Sequence, residues 1–543
     1  MDLTKYNKKS ITNAWSKVCL IADGMAINTT VYALKISGIL DFIHQAKVPV
    51  KVDNMINLFN IKNRGYFHLT FRLLEDQGII ERFGDIYHGQ TKVLFSVNGK
   101  EWYQHLNDYN KLEGYIKLTT YLLGYTPPNK YEVTKLTKYL NNYNNKPKIE
   151  QINIIHVTSS FIAVFLKKLK TNGFFNNAHG KEFKFEINQL KISNIDIAQL
   201  GFNYMIELGW IIKKNENNFI LTEEGAALQV LLSQLDFTIS YLTTAFNVQK
   251  LLFNKITNKT RLGDLESHID RLLDVTFSGG VYLKHCQKTT HEIILIIFNK
   301  LPINEQPQYI TDTGSGNGVM LIDIYNFIVG STIRGMNLKE YPLKMIGVEY
   351  TNVAKKTTEK NLKKANVPHL TIYGDITFPD QIMHELNKHG IKSDEILHVS
   401  KSVIHNRTYI EPESNLDYYS LKPSANNVFV DKSGELIDAG NIEVNLIEHF
   451  KRWSKWTQKH GMLVIEAHSV NPQIISKTLG NNVFTAFDAE HGYSNQYLIE
   501  HNIYLKMASI AGYSFTNGGV IISYNKEVVL SINYFQNSTN LMV

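Results

Sequence analysis

Apolar residues recur at helical spacing along most of the first half of the chain and give way to short strand-like runs after about residue 300. Residues 11–45 predict two helices, with Ile27, Val31, Leu34, Ile36, Leu40 and Ile43 spaced along one face between Ala26 and His44. A short helix follows Val48-Pro-Val, beginning near Asp53 or Asn54. Asn63–Gln77 reads as a further helix, with Leu69, Phe71, Leu73 and Leu74 apolar, and Gly78–Gly89 reads as a β-wing. Residues 100–150 are polar and rich in Tyr and Asn, with a break at Pro127-Pro-Asn. The pattern then recurs as an apolar helix over Val157–Thr171, two short helices over Ile192–Leu208, and a second wing over Gly209–Thr222. Leu228–Phe253 predicts one long amphipathic helix, and Gly263–Phe298 further helices covering a cofactor pocket.

From about residue 300 strands and helices alternate, which argues for a parallel doubly wound sheet. The strands are Tyr309–Asp312, Lys344–Glu349, Leu370–Asp375, Asp394–Ser400 and Gly461–His468, with a last pair at Gly518–Tyr524 and Val528–Phe535. Helices begin at Val319 and cover Leu446–Gln458 and Tyr504–Gly512, while residues 326–344 form a long helix and loop or an insertion. The expected fold is an α/β C-terminal Rossmann-like domain (300–543) behind a mainly helical half. That half divides into a winged-helix-like region (1–110), a second such region (111–225) and a helical lid or connector (226–299).

Composition narrows the function. A chain of 543 residues allows two or three domains. The net charge of +7 is spread rather than clustered, and the helix after Asn63 carries only Arg64 and Arg72 as cations. No nucleic-acid partner is expected, and the wing regions read as packing or dimerisation modules, compatible with a homodimer. Cys19 and Cys286 alone build neither a disulfide framework nor a Cys-rich zinc site. The N-terminus has no apolar signal core and no run is expected to span a membrane, so a cytoplasmic protein is expected.

The chemistry centres on Asp312-Thr-Gly-Ser-Gly-Asn-Gly318, between the first predicted strand and an apolar helix. Gly314, Gly316 and Gly318 let backbone approach a ligand, and the helix aims its first N–H groups at the same place. Asp312, Glu349 and Asp375 end three successive strands, where open α/β sheets bind ligands. The Asp-x-Gly-x-Gly-x-Gly spacing differs from the dinucleotide fingerprint and resembles motif I of class I S-adenosylmethionine (SAM) methyltransferases. That resemblance implies that Glu349 accepts hydrogen bonds from both ribose hydroxyls of SAM. It implies that Asp375, with Ile376 beside it, meets the adenine.

Two loops past the fourth and fifth strands hold unusual residues: Lys401–Tyr409, with His405 and Arg407, and Asn482–Tyr497, with His491, Tyr493 and Gln496. Asp312–Gly318, Ile404–Tyr409, Phe429–Ile437, Leu446–Trp453 and above all Glu490-His-Gly-Tyr-Ser-Asn-Gln-Tyr497 resemble methyltransferase domains of polyketide synthases. The resemblance is nearest to the metal-dependent C-methyltransferases of apratoxin-type loading modules, and is clear from about residue 260 onward. It implies methylation of a malonyl-type acyl group, as a small molecule or on an acyl carrier protein. It also implies an Fe(II) or Mn(II) ion held by His491, Gln496 and, as third ligand, His405. His405, His491, Arg407 and Tyr493 are the candidate catalytic residues. A metal on a 1,3-dicarbonyl acidifies the α-proton and holds both oxygens. The alternatives are metal-free O-methylation with a His base, and a winged-helix regulator that senses SAM. No carrier, ketosynthase or adenylation segment is recognisable in the chain, so the expectation is an enzyme acting in trans, or one not tied to polyketides at all.

Overall fold

Caps and glycines set where the N-terminal helices begin and end. In the computed structural model, the first helix runs over Lys8–Ile36, and the Asn7 side chain caps it by accepting the Ser10 N–H at 2.8 Å. It stops before Gly38, whose φ of +77° leaves the helical region, and Ile39–Gln45 forms the second helix. The structure describes residues 3–84, 90–125, 133, 136, 138–140, 142–192, 194–255 and 271–537. The turn of the first expected wing, the Pro127-Pro-Asn break and the stretch from Gly263 to Asp270 lie outside the described residues.

The chain divides into two compact units: Met1–Ile269 with Ser433–Glu435 and Pro472–Ser494, and Asp270–Lys432 with Leu436–Asn471 and Asn495–Val543. The main division falls at Ile269/Asp270 rather than at 299/300, because Arg271–Phe298 goes with the sheet.

In the first unit, Lys8–Ile36 packs against Lys148–Thr171. Gly24 permits the close approach, since a Cβ there would stand 2.7 Å from the His156 Cα. Contrary to expectation, Lys148–Thr171 is long and apolar enough to cross a membrane; 78% of its apolar window is buried within the protein, which makes it a core helix. Two three-stranded antiparallel sheets lie in the helical half, Val50–Lys51 with Lys92–Phe95 and Ile80–Phe83, and Glu182–Lys184 with Asn218–Leu221 and Ile211–Lys213; the Lys92–Phe95 strand falls beyond the stretch Gly78–Gly89 expected as a wing. In place of two short helices over 192–208 there is one, Ile195–Glu207, capped by Asn194 accepting from Asp196 and Ile197. The long helix expected over Leu228–Phe253 is a staircase of short ones, Glu223–Leu231, Leu235–Ser240, Leu242–Phe246 and Val248–Phe253. Its steps coincide with side chains that bond back to the preceding turn: Ser240 to the Phe237 carbonyl at 2.6 Å and Asn247 to the Thr243 carbonyl at 2.9 Å.

The second unit is built on a seven-stranded sheet. In chain order the strands are β1 Tyr309–Thr313, β2 Lys344–Glu349, β3 His369–Tyr373, β4 Ile396–Lys401, β5 Met462–Ala467, β6 Tyr513–Tyr524 and β7 Glu527–Asn537. Their spatial order is β6-β7-β5-β4-β1-β2-β3, with β1 to β5 parallel and β7 antiparallel to both neighbours. Connections run one way from β1 and the other way from β4, so the switch point lies at the carboxyl ends of β1 and β4. The helix expected over Leu446–Gln458 lies earlier, at Ala439–Ser454. Asp438 caps its start, and Trp453 anchors its end by donating Nε1–H to the Ile376 carbonyl at 2.9 Å.

Candidate functional site

The glycine-rich turn leaves β1 at the switch point. Gly314, Gly316 and Gly318 all hold positive φ, at +81°, +60° and +74°, so a side chain at any of them would strain the turn. A Cβ on Gly314 would also stand 2.3 Å from Val403 Cγ1. The helix Val319–Ser331 starts directly behind the turn, with its positive dipole end facing forward and the Val319 N–H given to Asn317 Oδ1 at 3.2 Å. Val275 and Gly279 of Arg271–Val281 border Gly316 and Asn317, so that helix borders the turn.

The three strand-end acids sit at the same edge. Asp312 is buried, and its Oδ1 has no hydrogen-bond partner among the described residues. Burial, and then the charge of Glu349, push its carboxyl well above the usual range, while Lys401 opposes them. Glu349 ends β2 and accepts the Gly316 N–H, tying the turn to the second strand. Asp375 follows β3 by two residues and accepts the Thr377 N–H at 2.8 Å and the Thr408 hydroxyl at 3.3 Å. Ile376 beside it is buried and positioned by Trp453. Carboxylates only accept hydrogen bonds. A backbone cradle ringed by acids suits a cationic ligand rich in donors, as the sulfonium, ammonium, ribose and adenine groups of SAM are.

The loop after β4 carries a buried acid–imidazole pair. His405 Nδ1 is hydrogen-bonded to Glu466 Oε1, and both side chains are almost wholly buried. Glu466 also accepts the Ile404 N–H and the Ala467 N–H, each at 2.9 Å, so its carboxylate is fixed from three directions. With Nδ1–H given to a carboxylate, the neutral imidazole carries its lone pair on Nε2. Sequence reasoning missed Glu466; its signal is a lone acid in the otherwise apolar run of β5.

Arg407 is buried and gives its N–H groups to the Ile404 carbonyl (3.0 Å), Asn445 Oδ1 (2.7 Å) and the Ile442 carbonyl (3.4 Å). Burial lowers its pKa to about 10. These contacts make it a residue that shapes the loop bearing His405. Tyr497 donates its backbone N–H to the His405 carbonyl at 2.6 Å, which brings the peptide after Gln496 alongside His405. Asn495, in the left-handed region at φ +62°, donates to the Val430 and Asp431 carbonyls and sets the approach of that segment.

His491 and Tyr493 belong to the first unit, on the helix Phe484–Tyr493, and not to the sheet domain to which sequence order assigns them. Their helix is tied to the N-terminal helices by Arg72 with Asp488 (2.7 Å), Asp23 with the Ala486 N–H (3.1 Å) and Gln77 with Thr485 (2.8 Å). Tyr493 shares a 2.8 Å hydrogen bond with Thr30 inside that core. His491 Nδ1 bonds the Phe487 carbonyl one turn back at 2.6 Å, which again leaves Nε2 as the lone-pair nitrogen. No three His, Cys, Asp or Glu side chains among the described residues are grouped to hold an ion. The imidazoles of His405 and His491 and the amide of Gln496 are each donors of a type that suits Fe(II) or Mn(II).

The strand order, the glycine turn and the strand-end acids define a class I SAM-dependent methyltransferase. More particularly, residues 266–530 match the family of AprA MT2-like domains and residues 16–82 the AprA N-terminal domain, so the chain is similar to apratoxin-type methyltransferases over those residues. Among solved structures it is similar to the CurJ carbon methyltransferase (13% identity, 79% of this chain and 99% of that one, TM-score 0.31). It is also similar to an O-methyltransferase family protein from Burkholderia thailandensis (11%, 75% and 98%, TM-score 0.33). A third is LepI in complex with SAM (8%, 76% and 95%, TM-score 0.38). No curated protein matches the chain.

Proposed function

We propose that the enzyme methylates the α-carbon of a malonyl-type 1,3-dicarbonyl acyl group in polyketide-like biosynthesis, as a small molecule or on an acyl carrier protein. The observation that carries this reading is the buried His405–Glu466 pair at the carboxyl ends of β4 and β5. Carbon methylation needs a carbanion equivalent, and this pair is built to take a proton. His405 Nε2 removes the α-proton of the acceptor. Glu466 stabilises the imidazolium through Nδ1–H. The resulting enolate carbon takes the methyl group, for which bound SAM supplies the electrophile.

The second reading for the same acceptor is metal assistance. His405, Gln496 and His491 are the expected ligands, and Fe(II) or Mn(II) would supply Lewis acidity toward both carbonyl oxygens. What favours it is that both histidines place Nδ1 against an oxygen acceptor, the orientation in which metal-binding imidazoles coordinate through Nε2. O-methylation would use the same His405 base on a hydroxyl. A nucleic-acid role for the winged-helix-like regions finds little support, since Arg64 is paired with Asp53 and Arg72 with Asp488 and Asp76. The two cysteines are both free, which suits a reducing cytoplasm.

The test is transfer to a malonyl thioester, with and without chelator, for wild type and His405→Ala. A proton-abstracting pair predicts chelator-resistant activity that His405→Ala abolishes. Loss on chelation with recovery on Fe(II) or Mn(II) selects the metal reading. Full activity of His405→Ala would sink both.

A further inference from the structure

We propose that Lys401 binds the carboxylate of the methionyl group of the cofactor, a role that rests on SAM being the bound ligand. Lys401 is the last residue of β4 and sits beside the switch point. Its register places it next to the glycine turn, since Val399 pairs with Asp312 and Ser400 with Thr313. Its ammonium donates to Ser278 Oγ at 2.6 Å and lies 3.5 Å from Ser402 Oγ. Ser278 is on the helix Arg271–Val281, the same helix whose Val275 and Gly279 border Gly316 and Asn317. Lys401 is therefore fixed at both ends of the cradle, by the sheet below and by the helix beside the turn.

The charge pattern around it asks for an anion. The half-buried ammonium has no carboxylate at ion-pair distance among the described residues, although Asp274, Glu466 and Asp312 act on it from further away. Leaving a withdrawn charge without a counter-ion is costly, and a ligand anion relieves it. SAM carries two cationic groups and one carboxylate. The acids of the cradle, Asp312 and Glu349, match the cationic and hydroxyl parts. Lys401 is the ammonium placed at the turn to match the anionic part. Ser402, at φ +56°, turns the chain sharply away after Lys401 and leads to Val403, which fills the space in front of Gly314.

The experiment is calorimetry with S-adenosylhomocysteine, its carboxamide, and 5′-methylthioadenosine, which lacks the amino-acid portion. Wild type should prefer the acid over the carboxamide by about 10- to 100-fold, the range of a charge-assisted contact. In Lys401→Met that preference should collapse, while methylthioadenosine binds as before and shows the cradle intact. Lys401→Arg should keep most of the preference. Equal binding of acid and carboxamide by wild type would overturn the proposal without any variant. So would a Lys401→Met protein that weakens methylthioadenosine as much as S-adenosylhomocysteine, because Lys401 would then be structural. Unchanged binding with a fallen transfer rate in Lys401→Met would also overturn it, and would place the ammonium at the acceptor. Wild type that binds none of the three would refute the cofactor assignment itself, a result distinct from the others.

Discussion

Replacing Glu466 by Gln isolates the acid–imidazole pair from the cofactor site. The substitution keeps the size of the side chain and one acceptor oxygen, but removes the charge that faces His405 Nδ1. It also puts an amide N–H where Glu466 now accepts from Ile404, His405 or Ala467. A hydrogen bond to a charged group contributes about 1.5–3 kcal/mol, and each 1.36 kcal/mol is tenfold in rate, so kcat should fall about 10- to 150-fold. SAM affinity should stay within about twofold, because the cofactor acids sit on β1, β2 and after β3 while Glu466 is on β5. The assay pairs single-turnover transfer to a malonyl thioester with calorimetric titration of S-adenosylhomocysteine. Wild-type kcat in this variant would refute the reasoning. A loss confined to cofactor affinity would refute it equally.

Other outcomes follow from the same contacts. Glu349→Ala should weaken SAM by about 2–4 kcal/mol, from two hydroxyl contacts at ~1–2 each, read by calorimetry; unchanged affinity would remove Glu349 from the ribose. Arg72→Met leaves Asp488 and Asp76 buried without their cation and should destabilise the first unit by about 3–5 kcal/mol in urea melts. Asp488→Asn on top of it should recover part of the loss. Asp23, buried and raised to about 7, is protonated in the folded state below that pH, so its contribution is fully present near pH 4 and is lost as pH rises to 7. Asp23→Asn should therefore gain about 3 kcal/mol on wild type between pH 5 and 8, and a constant difference would contradict the assignment.

The sheet domain was legible because its strands are apolar runs that end in chemistry. Asp312, Glu349 and Asp375 mark three strand ends, and the turn needs glycine where the structure shows positive φ. The helical half was less legible. Periodicity from Leu228 to Phe253 is continuous, but Ser240 and Asn247 bond back to the chain and break the helix, which an apolar pattern does not register. The segment with His491 and Tyr493 follows β5 in sequence yet belongs to the first unit. Its partners Arg72, Asp23, Gln77 and Thr30 lie hundreds of residues earlier, and no local pattern joins them. Glu466 was readable in principle, since an acid in a strand buried on both faces needs a partner, and His405 supplies it.

The central claim is transfer of a methyl group to carbon, and labelled cofactor tests it most directly. Incubation with SAM carrying a ¹³C methyl group and a malonyl thioester, followed by proton–carbon correlation spectroscopy of the product, locates the label. The account predicts a methyl resonance coupled to the α-proton of a methylmalonyl group, absent with His405→Ala. A label on oxygen, or none on the thioester while SAM still binds, would contradict it.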